Sequence, residues 1–278
     1  MSAGSGNGPS SRVVDPRFDP TALGDDQVVD LRDEGDDASH AFDDDPLRPL
    51  VGKVAVVTGG GGAVGRAIAL ALLDAGARVC VLDRDVEGLR ATTSAAEPAA
   101  PVLYLQCDLG SLTEVAGAAD FITRFDRPVD VLVHAADVHV AHGIEEGVVA
   151  DLDEQYLVNL RGPYLMTQQL LERLQEGPGH VVFINPGLGA DRPEDTQYAM
   201  TRAGVAALAE GTRRELEGTG VRVTTVHVGT VFERGSSSSP IGGRVQEVDI
   251  ADCVMGALEM PPRVEISELH LRPRAVVR

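Results

Sequence analysis

Val54-Ala55-Val56-Val57-Thr58-Gly59-Gly60-Gly61-Gly62-Ala63-Val64-Gly65-Arg66 runs from an unbroken apolar stretch into four glycines and then into the Ala/Leu-rich segment Ala67 to Leu73. An apolar run without polar alternation reads as a strand covered on both faces, and the segment after the glycines reads as a helix. Glycines between them let the chain turn tightly and let its backbone approach a pyrophosphate, which then rests on the helix N-terminus. Asp83 ends the second apolar run, 24 residues after Gly59. A carboxylate there accepts both hydroxyls of an adenosine ribose and repels a 2′-phosphate. The expected dinucleotide site comprises Thr58, Gly59, Gly61, Gly62, Ala63, Val64, Gly65 and Asp83. Gly60 to Gly62 hold no basic residue, which favours NAD over NADP, and Arg84 is the neighbouring cation that pulls the other way.

Outward from this bend, further apolar runs recur at Val79–Leu82, Val102–Leu105, Val129–Val133, Val181–Ile184 and Val221–Val228. Helical patterns fall between them at about 63–76, 111–125, 151–175 and 196–217. Strand–helix alternation predicts a single doubly wound α/β domain of the Rossmann type, with a parallel sheet, over residues 49–278. Residues 229–247, with Ser236 to Ser239, Pro240 and Gly242-Gly243, read as a long loop. A helix near 248–259 and a last strand near 264–271 close the domain.

The chain has 278 residues and a formal charge of −19, to which residues 1–48 contribute twelve acidic and four basic side chains. Such a segment cannot bury enough apolar surface to offset the entropy of ordering, so 1–48 is expected to be a disordered acidic tail. The negative charge argues against nucleic acid and anionic membrane as partners. Cys80, Cys107 and Cys253 form no spaced framework, which points to a reduced compartment and to no structural metal. With no apolar signal core and no stretch of membrane-spanning length, a cytoplasmic protein acting on a small molecule is expected.

The bend follows Thr-Gly-x-x-x-Gly-x-Gly except that Ala63 stands for the middle glycine, and it is followed in order by Cys107-Asp108-Leu109, Asp130-Val131-Leu132-Val133, Asn159, Tyr198-Ala199-Met200-Thr201-Arg202 and Gly220-Val221-Arg222-Val223. In this order and spacing the chain resembles the short-chain dehydrogenase/reductase family over about residues 52–274. The resemblance implies an alcohol–carbonyl oxidoreductase using NAD(H), and a homodimer or homotetramer built through the helices at 151–175 and 196–217. It implies Tyr198 as acid/base and Asn159 as the end of a proton relay. It also implies cofactor contacts from Asp108, Leu109, Ala135, Tyr198 and Arg202.

Several positions depart from the family pattern. The expected Lys is Arg202, the expected Ser is Pro186, and the sequence after the fourth strand is His134-Ala135-Ala136-Asp137 rather than Asn-Asn-Ala-Gly. Arg202 lies i,i+4 from Tyr198, so a fixed cation still accompanies the phenol, but a guanidinium does not give up a proton. Pro186 has neither hydroxyl nor N–H, and losing one positioned oxyanion donor costs about 10²–10³ in rate. His139 or His142 is the expected substitute donor. Pro163, four residues after Asn159, lacks the N–H that would bond the Asn159 carbonyl, so a kink is predicted there, with that carbonyl free to hold a water. Three readings follow: an NAD-linked oxidoreductase with a nonstandard site, a catalytically silent nucleotide-binding relative, or a non-redox dehydratase, isomerase or cyclase using the same pocket.

Overall fold

The computed structural model describes residues 48–97, 100–125, 127–186, 195–229 and 245–273. Seven strands form one parallel sheet: β1 Val54–Thr58, β2 Arg78–Asp83, β3 Val102–Gln106, β4 Val131–His134, β5 His180–Pro186, β6 Arg222–Val228 and β7 Glu268–Leu271. Their order is β3-β2-β1-β4-β5-β6-β7, so the winding reverses between β1 and β4. At such a switch point the loops leaving the two strands diverge and open a crevice at their carboxyl ends. Gly59 leaves β1 into that crevice and Ala135 leaves β4.

The helices are α1 Ala63–Asp74, α2 Val86–Ala95, α3 Leu112–Thr123, α4 Val149–Tyr156, α5 Gly162–Gln175, α6 Thr196–Glu215 and α7 Glu247–Leu258. Two apolar layers fill the space they leave. One joins Val57, Val81 and Val182 to Ile68 and Leu72 of α1 and Ile250 and Val254 of α7. The other joins Val56, Leu132 and Phe183 to Ile122 of α3, Leu170 of α5 and Val205 of α6. Every residue of β1 is buried, which is why its sequence shows no alternation.

Two features differ from the sequence reading. α2 was not expected, because Gly88, Thr92, Thr93 and Ser94 weaken the helical pattern and only Leu89 and Thr92 of this helix are buried. It is started by Asp85, whose carboxylate accepts the Glu87 N–H at 3.1 Å. The helix expected at 151–175 is two helices joined by a π-wound segment, Leu157–Arg161, in which the Gly162 N–H reaches back to the Leu157 carbonyl. The wider winding falls just before Pro163, in the turn where its missing N–H and its ring would disrupt an ordinary helix. The expected acidic tail, apart from Arg48, and the expected loop, apart from Gly229 and Val245 to Glu247, lie outside the described residues.

Candidate active site

The crevice is a cleft of about 850 Å³ that runs along α1. Gly59 has φ +73°, and a Cβ there would lie 2.5 Å from the Ala136 backbone nitrogen, so the bend closes against the segment leaving β4 only as glycine. α1 has no side-chain cap and no acidic residue in its first turn. Its first main-chain bond runs from the Arg66 N–H to the Gly62 carbonyl, which leaves the N–H groups of Ala63, Val64 and Gly65 outside the helical ladder. Those residues line the cleft. A helix start with uncommitted donors facing a cavity is the arrangement a pyrophosphate requires, and these residues fit one.

Asp83 sits beside the bend with both carboxylate oxygens oriented, Oδ2 accepting the Gly61 N–H and Oδ1 the Asp85 N–H, each at 3.0 Å. Each oxygen keeps a lone pair for a sugar hydroxyl. The nearby cations are committed elsewhere. Arg66 donates to the Gly61 and Gly88 carbonyls and to Thr92, bracing the bend, while Arg84 pairs with Glu154 at 2.8 Å. Asp108 accepts the Gly110 N–H at 2.8 Å. Cys107 also lines the cleft, and burial pushes its thiol up to about 12, so it stays protonated.

Of the sequence-predicted cofactor contacts, Gly59, Gly62, Ala63, Val64, Gly65, Asp83, Arg84, Asp108, Leu109 and Ala135 line the cleft. Thr58 and Gly61 are not among the lining residues: Thr58 is wholly buried, with its hydroxyl turned to the Val133 carbonyl. Tyr198 and Arg202 also stand back from the lining and reach the cleft through Asp137, which does line it.

Asp137 joins the phenol and the guanidinium. The Tyr198 hydroxyl donates to its Oδ2 at 2.6 Å, and the Arg202 guanidinium bonds its Oδ1. Arg202 is 1% exposed, and its guanidinium carbon lies 4.8 Å from the centre of the Tyr198 ring. The i,i+4 spacing on α6 therefore does bring cation and phenol together, with a carboxylate bridging them that neutralises the guanidinium. Asp137 stands where the family pattern has glycine; the only sequence signal for it was a charged residue at the carboxyl end of a strand.

Asn159 is buried at 1% exposure and grips one residue of the β4 exit. Its Oδ1 accepts the Val138 N–H and its Nδ2 donates to the Val138 carbonyl, both at 2.7 Å. This pair of hydrogen bonds to the two peptide groups flanking Val138 fixes the segment between Asp137 and His139. Asn185 is likewise spent inside, donating to the Arg202 carbonyl at 3.2 Å rather than toward the cleft.

The polar residues after β4 diverge instead of sharing a ligand. His134 Nε2 pairs with the Thr167 hydroxyl at 2.8 Å, and burial drives its pKa down to about 3. His142 faces Asp151 at 3.2 Å. His139 does reach the site: its ring lies 4.4 Å from that of Tyr198, and its Nε2 meets Asp195 Oδ2 at 3.1 Å. Asp195, just ahead of α6, was not anticipated from the sequence.

The family model described as short chain dehydrogenase matches residues 53–235. An uncharacterized oxidoreductase of Staphylococcus saprophyticus is 30% identical over 230 residues, covering 81% of this chain and 98% of that protein. The farnesol dehydrogenase of Aedes aegypti is 31% identical over 237 residues, covering 80% and 96%. A metagenomic short-chain oxidoreductase whose crystal structure was solved with NADP superposes with a TM-score of 0.71 at 30% identity, covering 82% of this chain and 99% of that one.

Proposed function

Because this chain belongs to the short-chain dehydrogenase/reductase family, whose oxidoreductase relatives it matches along nearly their whole length, we propose that it interconverts an alcohol and a carbonyl on a small molecule with NAD(H). The observation that carries this reading is the Tyr198–Asp137–Arg202 cluster at the edge of a cleft whose other end is the glycine bend. The nicotinamide, when bound, supplies or takes up the hydride. Ala63, Val64 and Gly65 hold its pyrophosphate through main-chain donors, and Asp83 holds the adenosine ribose.

The proton path is built differently from the family pattern, which relies on an ammonium. Tyr198 Oη takes the proton of the substrate hydroxyl while passing its own to Asp137 Oδ2, so the carboxylate serves as the acceptor that Arg202, always charged, cannot be. Arg202 holds Asp137 in place and balances its charge. His139 packs on the phenol but gives its Nε2–H to Asp195 Oδ2, so a neutral ring would have only its Nδ1 lone pair left and would not replace the hydroxyl missing at Pro186. Asn159 acts as a positioning residue, because its grip on Val138 sets both Asp137 and His139.

NAD(H) is the proposed cofactor rather than NADP(H). Asp83 flanks the bend, and both nearby arginines are already bonded to protein groups, so among the described residues no cation beside the bend stands ready for a 2′-phosphate. The neighbour solved with NADP makes the alternative concrete.

The test pairs cofactor titration with turnover. NADH should quench or shift its own fluorescence on binding at least about tenfold more tightly than NADPH, a difference of about 1.4 kcal/mol. Across a panel of secondary alcohols and ketones, Tyr198→Phe should lower kcat by about 10²–10⁴ while changing NADH affinity less than about threefold. Tighter NADPH binding would overturn the cofactor assignment. Cofactor binding with no turnover on any alcohol or ketone would instead favour the silent relative, in which Asp137 permanently occupies the phenol and the guanidinium.

A further inference from the structure

At the far edge of the sheet, His227 on β6 stands in register with His270 on β7, and Glu268 lies two residues before His270. Side chains alternate along a strand, so Glu268 and His270 share one face of β7. None of the three lines the cleft. We propose that His227, Glu268 and His270 form a binding site for a divalent transition-metal ion of the zinc type, which fastens the edge strand β7 to β6.

The donor atoms are already gathered. One ligand atom from each residue lies within 4.8 Å of the other two. His270 Nε2 is 3.4 Å from Glu268 Oε2, and His227 Nε2 is 3.9 Å from Glu268 Oε1. Ligands held about 2.0–2.1 Å from a tetrahedral zinc are separated by about 3.3 Å, so the trio needs to contract by about 1 Å or less at its shorter edges. Glu268 and His270 have exposed side chains on the outermost strand and are free to make that adjustment. His227 Nε2 is buried and has no hydrogen-bond partner among the described residues, so its nitrogen has no competing commitment.

The imidazole rings now stack, with centroids 4.5 Å apart and planes 11° from parallel. One ion cannot lie in both planes of a stacked pair, so binding turns the exposed His270 ring outward. Two imidazoles and one carboxylate select zinc, cobalt, nickel or copper over calcium or magnesium, which favour all-oxygen sites. The fourth position is left to water. His227 and His270 are more than forty residues apart, so no spacing motif announces the site.

The experiment uses the full chain, freed of metal with a chelator and titrated with Zn²⁺ by calorimetry and with Co²⁺ by visible absorption. One ion should bind per chain, with micromolar or tighter affinity, giving the d–d bands of a low-coordinate cobalt site. A Zn²⁺ excess of about 100-fold over Kd should raise Tm by about 5–10 °C. His270→Ala and Glu268→Gln, both at exposed positions, should each weaken binding at least about tenfold and remove the cobalt bands. The same titration with Mg²⁺ should give no matching stabilisation. Absence of saturable Zn²⁺ binding below about 100 μM, or binding that both substitutions leave unchanged, would overturn the proposal and leave a strand edge that is merely polar.

Discussion

At the glycine bend the chain presents main-chain groups: three consecutive N–H donors at the start of α1, and a carboxylate fixed by two further N–H groups. At the phenol end the groups brought together are side chains drawn from separate segments, with Asp137 and His139 leaving β4 and Asp195, Tyr198 and Arg202 at the start of α6. The sheet holds the two ends together at its switch point. They differ in what sequence must preserve. A main-chain site requires glycines at fixed spacing and tolerates almost anything that leaves the bend intact. A side-chain site survives replacement of its parts if charge and reach are rebuilt from elsewhere. Here the phenol end has lost a hydroxyl at Pro186 and an ammonium at Arg202 and gained a carboxylate at Asp137, whereas the bend has changed only by the Ala63 methyl. The one lysine in the chain, Lys53, serves neither end: it pairs with Asp130 at 2.9 Å, beside the start of β1.

The largest effect is expected where this contrast is most extreme. Asp137→Asn keeps a polar side chain of the same size but leaves the Arg202 guanidinium, at 1% exposure, without its counter-charge. Removing one partner from a buried pair costs about 2–5 kcal/mol. Urea denaturation should show a loss in that range, and turnover should fall with that of Tyr198→Phe, while NADH affinity at the bend stays within a few-fold of the parent. A fully active, fully stable Asp137→Asn protein would break the proposed division between the ends.

The converse substitution strikes the bend. A Cβ on Gly65 would lie 2.1 Å from the Gly59 carbonyl oxygen, which is main chain and cannot swing aside. Gly65→Ala should therefore push α1 off the bend and lower NADH affinity by about 10²-fold, about 2.7 kcal/mol, while the Tyr198–Asp137 contact persists. Fluorescence titration measures the first; near-ultraviolet difference spectra of Tyr198 follow the second.

These two substitutions also mark how far the sequence could be read. The bend, Asp83 and the buried strands were legible because each is specified by neighbouring residues, through glycine spacing or an unbroken apolar run. α2 was missed because a helix that buries only Leu89 and Thr92 leaves little periodicity, although the crossover from β2 to β3 required something of its length. Asp137 was visible as a departure from pattern, but its partners lie 61 and 65 residues away and nothing local names them. Asn159 was expected to act through its main-chain carbonyl beside Pro163; in the structure its side-chain amide acts, on Val138. His134, Asp137, His139 and His142 fall close together in sequence after β4, yet each turns to a different partner.

A smaller, pH-dependent effect concerns what lies beneath the phenol end. His134 at the end of β4 and His180 at the start of β5 are buried, bonded to Thr167 and Thr224, and each is depressed from the ordinary 6.5 to about 3, chiefly by burial. Between those values the unfolded chain binds protons that the folded chain refuses, so their contribution to stability is complete above pH 6.5 and declines as pH falls toward 3. Each should remove about 1.4 kcal/mol per pH unit in that window. Denaturation at pH 7.5 and 5.5 should differ accordingly, and His180→Asn should remove about half of the difference, His134 supplying the rest, if the asparagine fills the site without a titrating group.

The smallest effect sharpens the comparison by isolating sterics from conformation. Gly256 lies within α7, away from any strained backbone, and a Cβ built there meets nothing within 4 Å. Alanine is favoured over glycine inside a helix by about 0.8–1.0 kcal/mol because less backbone freedom is lost on folding. Gly256→Ala should therefore stabilise the chain by up to about that amount and leave NADH affinity unchanged, even though α7 contributes Glu247, Val248, Ala251 and Asp252 to the cleft. The same one-methyl change at Gly65 and at Gly256 then gives opposite signs. A glycine in this fold is held by whatever its missing Cβ would strike, and only where that is main chain does the substitution reach the ligand.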